Sequence, residues 1–154
     1  MRQLRIKSNL CSFVDENLTC EYDYDFSKEE KDSYEPGWLN KTKIKSNSTI
    51  NKSFGYKSND ELDTYVYEGD HGSYSGNGYV YEFWGRLSDI RNNVSILHHF
   101  GWIDQRTRAI IIQFSLYNPN VELFISNTLL IEFLSSGGIY PQFRFDPINI
   151  SGNL

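Results

Sequence analysis

The chain lacks any run approaching the ~18 consecutive apolar residues of a membrane-spanning helix. Its opening, Met-Arg-Gln-Leu-Arg, lacks a signal peptide's hydrophobic segment. As it stands, the chain is expected neither to cross a bilayer nor to direct its own export. Basic excess is missing too: 15 Lys and Arg face 20 Asp and Glu, a net charge of −5, so no global field draws the protein to nucleic acid. With 3 His and 2 Cys there is little from which to build a metal centre. What is present suffices for one domain spanning 1–154 with one core, since 39% of residues are apolar and 23% charged. Aromatic residues are abundant: 11 Tyr, 10 Phe and 3 Trp supply large contact area with a polar tip on Tyr and Trp, which suits sheets and interfaces.

Cys11 and Cys20 stand nine positions apart, which is not the Cys-x-x-Cys spacing of thioredoxin-like chemistry. A local disulfide is the better reading; two unrelated reduced thiols are the other. Closing so short a loop stabilises by about 2.7 kcal/mol on the chain-entropy model. Asn-x-Ser/Thr sequons occur at Asn17, Asn40, Asn47, Asn51, Asn93 and Asn149. Chance pairing of 14 Asn with 23 Ser and Thr would give about two. The excess and the cysteine pair both point to an oxidising, N-glycosylating compartment. Without a signal peptide of its own, the segment is expected to belong to a longer membrane or secreted protein.

Residues 15–35 carry nine acids against two lysines, and residues 36–58 carry five lysines and no acid. The block Asn40–Ser53 reads as a solvated loop with little to bury. Order is plain further on. Leu87, Ile90, Val94 and Leu97 recur at helical spacing, with Ser88-Asp89 as N-cap and first-turn acid and Gly101 as the stop. Periodicity then switches to two. Ile110, Ile112, Phe114 and Leu116 share one face of a strand over Ala109–Tyr117. Val121, Leu123, Ile125, Leu129, Ile131 and Phe133 share one face of a second over Val121–Phe133, and Asn118-Pro119-Asn120 turns between them. A strand over Ile139–Phe145 follows Gly137-Gly138, another covers Tyr79–Phe83, and Arg2–Lys7 supplies a further one. The expectation is an α+β fold: a mostly antiparallel sheet with a helix packed on one face (75–150), plus a long disulfide-stapled loop excursion (11–56).

Catalytic and ligand motifs fail in detail. Asp23-x-Asp25-x-Ser27 opens like a calcium loop, but Lys28 and Tyr34 stand where Gly and Glu are needed. His98 and His99 are adjacent, about 100° apart on a helix, and cannot share one metal from a rigid face. Gly76-x-Gly78 lacks the third glycine and following helix of a dinucleotide site. Gly72-Ser-Tyr-Ser-Gly76 has Tyr where a nucleophile elbow needs Ser. No spacing singles out a carboxylate pair among Asp104, Glu122 and Glu132. The reading is non-enzymatic, with no metal, cofactor or nucleic acid.

From Gly101 the sequence is similar to one family. Trp102-Ile-Asp-Gln-Arg-Thr-Arg-Ala109, Phe114-Ser-Leu-Tyr-Asn-Pro-Asn-Val-Glu-Leu-Phe124, Leu129-Leu-Ile-Glu-Phe133 and Gly137-Gly-Ile-Tyr-Pro141 carry the likeness. Arg2-Gln-Leu-Arg-Ile6 before the cysteine pair and Tyr74-Ser-Gly-Asn-Gly-Tyr79 extend it. Together these resemble the polycystin (polycystic kidney disease protein) family of TRP-type channels. Departures are Arg106 for the family's Gly, Leu134-Ser135-Ser136 for its Pro-Ala-Thr, and Phe143 for its Trp; Pro36-Gly37-Trp38 looks like the receptor-like branch.

The resemblance implies the extracellular polycystin domain between two membrane helices that lie outside this chain, on a plasma or ciliary membrane. It also implies that Cys11 and Cys20 match the family's disulfide pair. Partners would be other polycystin subunits, as a homo- or heterotetramer ringed over a calcium-permeable pore. The function implied is assembly and gating, with an extracellular glycan- or protein-binding domain as the alternative. Within the excursion, Phe13, Tyr22, Tyr24, Phe26, Tyr34 and Trp38 are the candidate anchors on a neighbouring subunit.

Overall fold

Arg-Gln-Leu-Arg is an improbable strand by composition, yet Arg2–Arg5 is buried at all four positions near the middle of the main sheet. The computed structural model describes residues 1–10, 19–20, 22–40 and 48–149. In chain order its elements are β1 (Arg2–Arg5), β2 (Asn9–Leu10), β3 (Thr19–Cys20), β4 (Tyr34–Glu35), β5 (Leu39–Asn40), α1 (Thr49–Lys52), β6 (Tyr56–Lys57), α2 (Asn59–Leu62), β7 (Tyr67–Glu68), β8 (Ser73–Tyr74), β9 (Gly78–Val80), α3 (Leu87–His99), β10 (Thr107–Asn118), β11 (Leu123–Phe133) and β12 (Ile139–Asn149). Six strands form one sheet in the order β12-β11-β10-β1-β9-β6, and all its pairings are antiparallel. The fold is sheet-rich α+β.

Polar residues survive inside β1 because each finds a distant partner. Arg2 donates to Gly76 O at 2.5 Å, Gln3 to Thr107 Oγ1 at 2.5 Å and Arg5 to Asp104 at 2.5 Å. A register shift between Leu4 (opposite Ala109) and Arg5 (opposite Thr107) leaves Arg108 as the extra residue of a bulge. Gly78 is obligatory beside this strand: its φ is +136°, and a Cβ there would sit 2.5 Å from Gln3 O.

Register assigns two faces. Gln3, Tyr56, Tyr79, Ile110, Ile131 and Pro141 oppose one another across the strands and share the first; Arg2, Leu4, Ala109, Ile111, Leu130 and Glu132 share the second. Each face carries its own core cluster. Phe54, Tyr79, Tyr81, Leu97 and Trp102 pack on the first; Leu4, Tyr74, Ala109, Ile111 and Leu130 pack on the second. Trp102 Nε1 donates to Ser53 O at 2.8 Å, so the indole is buried with its polar end satisfied.

Several expectations are corrected. The helix begins at Leu87 with Arg86 as N-cap, not at a Ser88 cap; Asp89 accepts from the Arg86 N–H at 3.0 Å. It ends as expected at Gly101, in the left-handed region (φ +60°), with Trp102 N–H to Leu97 O and Gly101 N–H to His98 O closing a Schellman motif. Its apolar stripe, however, does not lie on the sheet: Leu97 is 3% exposed, but Val94 is 42% and Leu87 62% exposed. Strand β12 runs to Asn149 rather than Phe145. The block expected to be solvated to Ser53 ends instead in α1, capped by Ser48, after which Ser53 and Phe54 are fully buried. Residues 41–47 of that block lie outside the described residues.

Candidate interaction surface

Beyond Ile111, β1 no longer pairs with β10, and β10, β11 and β12 continue alone as a three-stranded tip. Three rungs cross its first face: Ile112/Leu129/Phe143, Phe114/Asn127/Phe145 and Leu116/Ile125/Pro147. Asn127 is the only polar side chain among them, and its amide donates to Ile125 O at 3.2 Å. The opposite face of the same rungs is polar, carrying Gln113, Ser115, Ser126, Thr128, Arg144 and Asp146. An amphipathic sheet ordinarily buries its apolar side. Here Phe143 stays 67% and Phe145 65% exposed, so among the described residues this ledge is uncovered.

The ledge's outer edge resists strand addition. Pro141 and Pro147 lie in β12, opposite Ile131 and Ile125, and the pairing runs unbroken past both. Their missing N–H groups therefore face outward, where another strand would need donors. The tip offers a face, not an edge.

Behind the tip, the second face is fixed by a buried acid. Glu132 accepts from His71 N–H (3.0 Å), His71 Nδ1 (3.0 Å), Tyr74 OH (2.9 Å) and Gln142 Nε2 (3.0 Å). The His71 ring is tilted against Tyr140 at 4.2 Å. Burial alone would raise the Glu132 carboxyl, but the His71 and Tyr74 hydrogen bonds outweigh it and hold it below the ordinary glutamate range. The loop carrying His71 is thereby pinned to the sheet. Among the described residues, no group of three His, Cys, Asp or Glu side chains is placed to hold a metal ion, and no helix is long and apolar enough to cross a membrane.

The residues singled out from sequence fall in different places. Tyr34 and Trp38 pack against the Phe54–Tyr79 cluster and Tyr24 against the Leu4–Tyr74 cluster. Tyr22 is half-buried, its carbonyl accepting from Arg108 Nε at 2.6 Å. Phe26 is half exposed, edge-on to Tyr24. The excursion, expected to be poor at burying itself, thus covers much of its own domain: Glu29 and Glu30 are also buried, Glu29 accepting from Ser75 Oγ at 2.9 Å. Asn40 is exposed at the end of β5; Asn51 in α1 and Asn93 in α3 are half-buried. Phe13, Cys11, Asn17 and Asn47 lie outside the described residues, as do the side chains of Cys20 and Asn149. For the cysteines, the backbone pairs Asn9 with Cys20 and Leu10 with Thr19.

The alternation on β10 and β11 gives the faces expected from sequence, but the helix expected on one face of the sheet does not cover the tip. The missed signal was the second proline, Pro147, which marks β12 as a long edge strand.

Comparison with known proteins gives a consistent answer. The family described as the Polycystin domain matches residues 1–151. Human polycystin-2-like protein 1 is 30% identical over 154 residues, 97% of this chain and 18% of the relative. Zebrafish (Danio rerio) polycystin-2 is 30% identical over 97% of this chain and 16% of its own length. Location of vulva defective 1 of Caenorhabditis elegans is 37% identical over 117 residues, 74% of this chain and 4% of its own. The chain therefore spans less than a fifth of each of these relatives.

Proposed function

The chain belongs to the polycystin-domain family, and from that premise we propose that it is the non-enzymatic extracellular domain of a polycystin-type, calcium-permeable cation channel or of its receptor-like partner. Its work is subunit assembly and gating. The observation that carries this is the amphipathic tip: a folded sheet that leaves Phe114, Leu116, Phe143 and Phe145 exposed together on its apolar face presents a surface suited to another protein. The start of β1 and the end of β12 both point toward the tip, because β1 runs opposite to β10 and β12 runs with it. Membrane helices flanking the domain would therefore leave from the tip's end, setting the ledge close to the pore module. Strand β10 runs from that ledge into the packed core on a continuous ladder, so a displacement at the tip is transmitted as a rigid movement. Such contacts bias opening if their free energies differ between open and closed states.

The β2–β3 pairing supports a Cys11–Cys20 disulfide, since it brings together the two arms that lead into the loop between them. Exposed Asn40 is the best placed of the described sequons for an N-linked glycan. The rival reading, a domain that binds an extracellular glycan or protein ligand, is favoured by the exposed rings of Tyr65 and Trp84. Native-size analysis of the protein in membranes, with its natural flanking sequence, separates the two. Oligomers of defined size support assembly; a strictly monomeric protein with glycan affinity supports the rival.

A further inference from the structure

On the second face of the tip, polar character stops one rung short of the end. The two inner rungs, Gln113/Thr128/Arg144 and Ser115/Ser126/Asp146, are polar; the last, Tyr117/Phe124/Ile148, is not. Its Tyr117 and Phe124 rings stack at 4.4 Å, yet Tyr117 stays 52% and Ile148 54% exposed. Val121, in the turn beyond, is 59% exposed. With Leu116 and Pro147 on the first face, the hairpin's end is apolar on both sides, whereas a partner lying on the ledge would touch only one. We infer that this end is a foot that dips into the interfacial layer of a phospholipid bilayer, an inference that rests on the membrane-channel reading above. A bilayer meets a hairpin end-on and wets both of its faces at once.

The direction of the chain supplies the occupant. Strand β12 runs toward the tip and at its end pairs Ile148 with Phe124 and Asn149 with Leu123. On the reading above, the chain continues from there into the membrane, so the foot stands at the bilayer surface. Charge agrees. Between Arg108 and Glu132 the sequence has one charged residue, Glu122, and the Arg144–Asp146 pair, 2.9 Å apart, lies on the core side of the apolar rung. Three residues per strand at ~3.4 Å each give an apolar end of roughly 10 Å, which matches the ~5–10 Å immersion of interfacial elements. The foot goes no deeper, because the Glu122 carboxylate in the turn is costly in hydrocarbon, as is turn backbone facing lipid. Tyr117 suits that depth, with its ring at the acyl boundary and its hydroxyl among the headgroups.

The test is lipid photolabelling of the protein, with its natural flanking sequence, in phosphatidylcholine vesicles containing a diazirine-bearing phosphatidylcholine. Adducts located by mass spectrometry should fall on Tyr117, Val121 and Ile148 at least about fivefold more often than on Phe143 and Phe145 of the ledge. Val121→Asp should lower labelling of the tip about tenfold, with labelling of the flanking membrane helices and thermal unfolding of the domain unchanged. Val121→Leu should retain the parent's labelling. A benzophenone side chain at position 121 that joins chiefly to protein, or an unlabelled tip beside labelled membrane helices, overturns the foot while the channel reading stands. A protein that alkaline carbonate washes from the vesicles has no membrane helices, and that result removes the channel reading and the foot with it.

Discussion

The guanidinium carbon of Arg5 lies 3.3 Å from the centre of the Trp38 ring, while its Nη2 donates to Asp104 Oδ2 at 2.5 Å. Arg5 is buried in the central strand, Trp38 belongs to the excursion and Asp104 follows α3, so one side chain joins three parts of the chain. Trp38 itself adopts a left-handed φ of +58°, held there by its Nε1 hydrogen bond to Gly101 O at 2.7 Å. Trp38→Ala should destabilise the domain by about 3 kcal/mol. Arg5→Lys, which loses the flat stacking surface, should cost about 1–2 kcal/mol. Urea unfolding of the double variant should show a loss about 1 kcal/mol smaller than the sum. Strict additivity would mean the stack contributes nothing.

Acid should loosen the loop held by Glu132. The carboxyl's folded-state value lies below its ordinary one. Its contribution is therefore complete above the ordinary value of about 4.3 and is lost as pH falls through the lowered value. Glu132→Gln leaves four donors facing an amide that accepts on one side only. At pH 7 it should be less stable by about 1–3 kcal/mol, with a flatter stability curve on the acid side of pH ~4.3. A variant whose thermal unfolding falls with acid as steeply as the parent's would discount Glu132 as the titrating group.

How far the fold was legible depended on how local its causes are. Alternation on β10 and β11, the turn at Asn118-Pro119-Asn120 and the stop at Gly101 are properties of neighbouring residues, and they appear in the structure with the expected faces. What stayed hidden was settled at long range. Arg5 finds Asp104 across 99 positions and Gln3 finds Thr107 across 104, so a strand of Arg-Gln-Leu-Arg looks unfit for a core until those partners are placed. Periodicity also says which residues share a face but not whether anything covers it. For that reason the same alternation that locates β10 does not reveal the ledge, and the helical spacing of Leu87, Ile90, Val94 and Leu97 does not reveal that of these four only Leu97 is fully buried.

Cys11 and Cys20 should be joined in protein made through the secretory pathway. Intact-mass measurement before and after reduction should show the gain of two hydrogens, and Cys11→Ser should lower stability by about 2.7 kcal/mol, the entropy of the opened loop. Full alkylation of both thiols in the native, unreduced protein would exclude the bond.

Among the described sequons, Asn40 is exposed at a strand end, whereas the Asn51 side-chain Oδ1 accepts from Ser48 Oγ at 2.8 Å within the α1 cap. Asn40→Gln should therefore increase gel mobility by one glycan, and Asn51→Gln should leave it unchanged. Equal shifts for both would show that side-chain exposure does not govern occupancy here.

A glycan can also be placed where none belongs. Phe143→Asn with Phe145→Thr creates a sequon on the ledge, at two side chains exposed enough that the domain loses little packing. A sugar tree on that face leaves the core and polar side untouched but blocks anything that must lie flat on the apolar rungs. The expected result is a protein that is secreted and unfolds like the parent yet fails to assemble. Phe143→Gln with Phe145→Thr, which cannot be glycosylated, separates the wedge from the loss of the two rings: it should retain part of its assembly, because Leu116, Ile125 and Ile112 remain. Normal oligomers carrying the ledge glycan, verified by mass, would show that this face meets solvent in the assembled protein and that assembly runs through another surface.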